Sequence, residues 1–253
     1  MYRRESTAAD IDRGVTVRTT GPVPAVVVAR MVYGASRVLR TLDSVAIAHL
    51  RITRYCGATE VAVFQINASI DGRLCRVQLL GDDASGPRRI IDRFDQQLDQ
   101  ILTPGRHGPW ARSAPQNLAA ITEIRPIARR KVFRAQVLAP AAASAIMDTM
   151  DYDAYLFRDS DTGEDAIVYR AGAGVRLLRH TRLELPAARD NQIAVDLTPT
   201  QTIPDIVAAK RLCRNGLPFL FSVDPATARG RLLYRRYDGN LALVTTTPDH
   251  QRR

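Results

Sequence analysis

The C-terminal half of this chain contains one small module twice, in an ungapped register of 65 residues. Adding 65 carries Ala154-Tyr155-Leu156-Phe157-Arg158-Asp159 onto Phe219-Leu220-Phe221-Ser222-Val223-Asp224. The register continues from Val168-Tyr169-Arg170 onto Leu233-Tyr234-Arg235, and from Gly174 and Leu178 onto Gly239 and Leu243. Each copy is only about 45–50 residues, near the lower limit for a hydrophobic core that stands alone. Such a unit needs a partner, and the other copy is the partner nearest to hand.

Charge separates the copies. The net charge of +10 comes from 36 basic residues, of which only Lys131 and Lys210 are lysines. Residues 103–134 carry +6, residues 135–191 carry −3 and residues 192–253 carry +4. Arginine binds phosphate in a bidentate manner and stacks on bases, so the balance suits RNA. Cys56, Cys75 and Cys213 are odd in number and widely spaced, and read as buried thiols rather than a disulfide or metal framework. No apolar run approaches a membrane span and no apolar leader follows Met1, so a cytoplasmic protein is expected.

The residues divide into an α+β arrangement. Residues 1–14 read as a flexible tail. Val15–Thr19 reads as a strand, and Val27, Met31, Ala35, Val38 and Leu42 share one helical face. Strands follow over 46–54 and 60–70, Asp71-Gly72 is a type I′ hairpin signal, and 74–80 returns. Ser85 opens a second helix with Ile90, Ile91, Phe94 and Leu98 on its apolar face. This β-α-β-β-β-α order over 15–102 gives an antiparallel-type sheet with both helices on one face, as in double-stranded-RNA-binding folds. Residues 103–130 form a basic linker rich in proline and glycine. Two α-β-β-β copies follow over 131–180 and 192–247.

Several pieces resemble the long-form ribosome hibernation promoting factors, also called ribosome-associated inhibitors. Arg89-Ile90-Ile91-Asp92-Arg93-Phe94-Asp95-Gln96-Gln97-Leu98, after Asp82-Asp83, is similar to that family's second helix. Val168-Tyr169-Arg170 and, above all, Leu233-Tyr234-Arg235-Arg236-Tyr237-Asp238-Gly239 resemble its C-terminal domain and closing hairpin. Long forms normally carry one C-terminal domain; the duplication here departs from that and resembles a dormancy-type, actinobacterial variant. The resemblance implies a factor that binds the decoding region of the small ribosomal subunit, touching 16S rRNA and ribosomal proteins. It would block mRNA and tRNA and stabilise idle 70S ribosomes under stress. A single C-terminal domain implies dimerisation of ribosomes; two copies imply that repeat 1 pairs with repeat 2 inside the chain. Two other readings stay open: a conventional form that dimerises ribosomes, and a non-ribosomal RNA-binding stress regulator that recruits a protein partner.

The candidate rRNA-binding residues are Arg30, Tyr33, Arg37 and Arg40 on the first helix and Arg88, Arg89 and Arg93 on the second. The first four recur at i, i+3, i+7 and i+10, opposite the apolar stripe. The second group clusters where a helix N-terminus also favours phosphate. A solvated helix face is the competing reading, since Asp92, Asp95 and Asp99 offset much of this charge. The linker cations Arg106, Arg112, Arg125, Arg129, Arg130 and Lys131 lie along RNA or keep the segment soluble, and Trp110 stacks on a base or on its own domain. Tyr155, Phe157, Tyr169, Phe219, Phe221 and Tyr234 are the expected repeat-pairing residues. No catalytic, cofactor or metal pattern stands out: His49, His107, His180 and His250 lack metal spacing, and Gly172-Ala173-Gly174 reads as a hairpin turn.

Overall fold

The computed structural model describes residues 5–6, 10–12, 14–42, 44–55, 61–103, 123–172, 174–181 and 193–247. Cys56, Trp110, Arg106, Arg112, most of the expected linker and the segment joining the copies lie outside the described residues. The chain forms two compact units.

The N-terminal unit runs β1 (Glu5–Ser6), β2 (Asp10–Asp12), β3 (Val15–Thr20), α1 (Ala25–Leu39), β4 (Ala46–Arg54), β5 (Ala62–Ile70), β6 (Arg73–Gly81) and α2 (Gly86–Leu102). Its sheet has the order β1-β3-β4-β5-β6, with β2 also on β3. Part of the expected tail is therefore sheet: Glu5–Ser6 and Asp10–Asp12 both pair with β3, because that edge strand offers them an open row of backbone groups. β3 and β4 are parallel, as a crossover through α1 requires, and the remaining neighbours are antiparallel.

Alternation decides what faces the helices. Leu50 and Ile52 of β4, Phe64 and Ile66 of β5, and Val77 and Leu79 of β6 form one core with Val27, Met31 and Ala35 of α1 and Ile90, Phe94 and Leu98 of α2. Both helices thus cover the same face. The β5–β6 hairpin has Asp71 at φ 48° and Gly72 at φ 79°, the left-handed pair a type I′ turn demands. Ser85 stands at the α2 N-cap but makes no capping bond to that helix. Instead Asp82 accepts its backbone N–H at 2.6 Å and its hydroxyl at 2.9 Å.

The C-terminal unit runs β7 (Ile127–Phe133), β8 (Val137–Leu138), α3 (Pro140–Thr149), β9 (Ala154–Asp159), β10 (Asp165–Ala171), β11 (Gly174–Arg179), β12 (Ile193–Val195), α4 (Asp205–Arg214), β13 (Phe219–Val223), β14 (Gly230–Arg235) and β15 (Leu241–Thr246). Two sheets result, ordered β12-β11-β10-β9-β8 and β13-β14-β15-β7. The end of the expected linker, Ile127–Arg130, belongs to β7 and is a strand.

The outer strands are exchanged between the copies. β7 leads into repeat 1 yet lies parallel to β15 of repeat 2. β12 opens repeat 2 yet lies parallel to β11 of repeat 1. Leu156 and Ile167 then meet their counterparts Phe221 and Leu232 in a shared cluster between the sheets. On the far side of the second sheet, Ala208, Leu212 and Cys213 of α4 cover Leu233, Leu241 and Leu243.

The repeat register slips once. Val168 pairs with Leu177, whereas its counterpart Leu233 pairs with Leu243, so the second hairpin holds one more residue. Leu243 therefore stands where Leu177 does, and Gly239 lies in a turn at φ 79° while Gly174 begins a strand. The identities Gly174/Gly239 and Leu178/Leu243 are matches of letters, not of places. Asp159/Asp224 is a true equivalence. Each accepts a backbone N–H two residues on, from Asp161 at 2.9 Å and Ala226 at 3.2 Å, and so closes its β-turn.

Candidate functional site

Seven candidate RNA-binding side chains sit on two helices of the N-terminal unit. Arg30, Tyr33, Arg37 and Arg40 are all exposed along α1, with Tyr33 at 67%. The stripe that carries them is opposite Val27, Met31, Ala35 and Val38, which are buried. Arg88 and Arg89 are exposed in the first turn of α2, and Arg93 is half-buried. Each helix folds back on the strand before it, and β3 and β6 point the same way, so α1 and α2 run side by side in one direction. Gly34 permits their close approach: a Cβ there would lie 2.7 Å from Ile91 Cγ1. The shared outer surface joins three exposed arginines and an aromatic ring of α1 to Arg88 and Arg89 at the amide-rich start of α2.

Arg88 lies 3.7 Å from Asp92, with side-chain exposures of 88% and 59%. An exposed pair of this kind is worth well under about 1 kcal/mol and yields readily to a phosphate. Such guanidinium groups bind phosphate oxygens in pairs, while the Tyr33 ring offers a flat face to an unstacked base. Of the strand arginines, Arg51 is exposed on the sheet face away from the helices, and Arg54 is ion-paired with Asp83.

The second candidate site lies between the repeats. Phe221 is in the shared cluster, with Tyr169 and Phe219 packed against it. Tyr169 meets Phe219 edge to face, centroids 5.3 Å apart. Tyr155 and Phe157 lie elsewhere. Strand alternation turns them to the opposite face of β9 from Leu156, where Tyr155 stacks between Tyr152 and Phe157.

The two conserved-in-repeat tyrosines are served by the exchanged strands. The Tyr169 hydroxyl donates to Asp196, just beyond β12, and the Tyr234 hydroxyl accepts from Lys131 Nζ at 2.8 Å, within β7. Lys131 and Asp196 are themselves counterparts in the 65-residue register. Burial, reinforced by the bond to Asp196, pushes the Tyr169 hydroxyl up to about 12.

Also between the repeats, Arg229 of repeat 2 reaches Asp165 of repeat 1 through Nε at 2.7 Å and Nη2 at 2.9 Å. The Gly230 N–H donates to the same carboxylate at 2.7 Å. These three residues escaped the sequence reading, which followed identities. Their signal was a difference: Glu164-Asp165 falls on Arg229-Gly230, a reversal of charge inside an otherwise similar stretch.

Among the described residues, Cys75 and Cys213 are buried free thiols, and burial pushes the Cys75 thiol up to about 12. No group of three or more potential metal ligands occurs among the described residues. None of the helices described is long and apolar enough to cross a membrane.

Residues 122–175, which hold β7 and most of repeat 1, match the family described as the sigma 54 modulation/S30EA ribosomal protein C terminus. Two curated relatives, from Mycobacterium tuberculosis strains CDC 1551/Oshkosh and ATCC 25618/H37Rv, are each called a dormancy associated translation inhibitor. Each is 35% identical over 244 residues, covering 93% of this chain and 89% of its own. The N-terminal domain of Thermus thermophilus Protein Y aligns with 32% of this chain and 88% of its own length, at 19% identity and a TM-score of 0.28. The mycobacterial similarity spans both units and both repeats, and on that ground the chain belongs to the dormancy-type, long-form branch of the ribosome hibernation promoting factor family.

Proposed function

We propose that this protein is a hibernation factor that binds the decoding region of the small ribosomal subunit, blocks mRNA and tRNA, and stabilises idle 70S ribosomes. The helical ridge of Arg30, Tyr33, Arg37 and Arg40, with Arg88 and Arg89, is the rRNA-binding face. The two C-terminal repeats pair with each other inside the chain, so the protein preserves single ribosomes and does not join two.

The observation that carries this reading is the strand exchange. β7 occupies the free edge of β15 and β12 that of β11, so the edges a second molecule would need are already taken. A long form with one copy has no internal partner and must find it on another chain.

Sedimentation of purified ribosomes with the full chain through a sucrose gradient tests both parts. The protein should travel with single 70S particles, and a ribosome-dimer peak overturns the intramolecular pairing. Changing Arg30, Arg37 and Arg89 together to Glu should weaken co-sedimentation at least tenfold, about 1.4 kcal/mol. Undiminished binding of that variant removes the ridge from the interface. A chain found only at the top of the gradient favours the non-ribosomal regulator.

A further inference from the structure

The interface between the repeats is not symmetric in its chemistry, although the two copies share a fold. Asp165 and Gly230 are counterparts in the repeat register, and they touch each other. A Cβ at residue 230 would lie 2.5 Å from the Asp165 Cβ and 2.9 Å from Phe221 Cε2. Two copies of repeat 1 would bring Asp165 against a second Asp165, with Glu164 standing where Arg229 should be. Two copies of repeat 2 would bring glycine to glycine and set each Arg229 against Gly230 in place of Asp165, leaving a void and two guanidinium groups without their carboxylate.

The exchanged strands discriminate in the same sense. Arg130 of β7 pairs with Asp205 of repeat 2 at 2.6 Å, and the counterparts of these two residues are Val195 and Pro140. In repeat 1, Arg176 lies opposite Tyr169, whose hydroxyl is bonded to Asp196. Lys131, brought there by a second repeat 1, would replace that carboxylate with a like charge beside Arg176.

Resting on the pairing proposed above, we infer that the contact is a heterotypic lock: repeat 1 accepts repeat 2 and rejects another repeat 1, and repeat 2 likewise rejects itself. The partner that fits each copy's inner face is a repeat of the opposite kind, in the same chain or in a second one. Shape at Asp165–Gly230 and charge at Glu164–Arg229 carry the selectivity.

Two full-length variants test it. In one, repeat 1 takes the residues of repeat 2 (Leu156→Phe, Glu164→Arg, Asp165→Gly). In the other, repeat 2 takes those of repeat 1 (Phe221→Leu, Arg229→Glu, Gly230→Asp). Each alone is mismatched and should lose about 10 °C or more in the melting midpoint of the C-terminal unit. Mixed, they should form one-to-one heterodimers by native mass spectrometry, with neither forming homodimers. A third chain carrying all six changes restores the match with the sides reversed, and should melt close to wild type. The lock is overturned if the single-sided variants melt like wild type, if homodimers form as readily as heterodimers, or if the six-residue variant melts no higher than the three-residue ones. Wild-type sedimentation with ribosomes is read separately, so pairing can stand while its selectivity fails, and the reverse.

Discussion

Repeat 1 and repeat 2 build the same sheet and helix but present different inner faces. What they share is backbone business: Asp159 and Asp224 close equivalent turns, and Tyr169 and Tyr234 sit at equivalent strand positions. What they have lost in common is partner chemistry, as at Asp165 against Gly230 and Lys131 against Asp196. A duplicated module must keep the residues that make its own fold, whereas residues that face the sister copy are free to become complementary. The pattern of difference between the copies therefore marks the interface better than the pattern of identity.

The sharpest way to break this comparison is to treat counterparts alike. Arg229→Ala leaves the Asp165 carboxylate, whose side chain is 4% exposed, without its guanidinium, and should cost about 3 kcal/mol. Its counterpart change, Glu164→Ala, removes a half-buried carboxylate that accepts the Thr181 N–H at 3.0 Å, and should cost about 1 kcal/mol. Chemical denaturation of the full chain, read on the C-terminal unit, checks both, and equal costs would remove the asymmetry.

An alkaline titration probes the tyrosines. The Tyr169 hydroxyl titrates near 10 when unfolded and is held up to about 12 in the fold, so the protonated form is favoured by folding. Its contribution is fully present below pH 10 and is lost as pH rises toward 12. Tyr169→Phe should flatten the stability profile in that window, while Tyr234→Phe should leave the window in place.

The smallest effect lies in a turn. Ala228 adopts φ 52° where its counterpart Gly163 adopts φ 69°. Ala228→Gly should therefore stabilise repeat 2 by up to about 1 kcal/mol, seen as a rise in its melting midpoint. A fall would mean that the loss of unfolded-state restriction outweighs the relief of strain.

The N-terminal unit was largely legible because its signals are local. Asp71-Gly72 announces its turn, Ala46–Arg54 is bounded as a strand at the expected residues, and the exposed row on α1 follows from spacing alone. Arg93 was harder to place, since its half-burial depends on what packs beside α2. In the C-terminal unit the helix and three inner strands of each copy were equally plain, but β7, β8, β12 and the split of the aromatics were not. Phe157 and Phe221 look alike in composition, yet they are on opposite faces of their strands, one position out of step in the alternation.

By itself the sequence determined that there are two copies of one module, where their helices and inner strands fall, and which helix face in the N-terminal unit is basic. Those follow from periodicity and neighbouring residues. Only the tertiary structure decided that β7 joins the second sheet and β12 the first, that the last hairpin slips by a residue, and that Asp165 seats against Gly230. A strand edge offers the same N–H and C=O groups to any strand that reaches it. Which one it receives is settled by side chains far apart in the chain, once the sheets have packed.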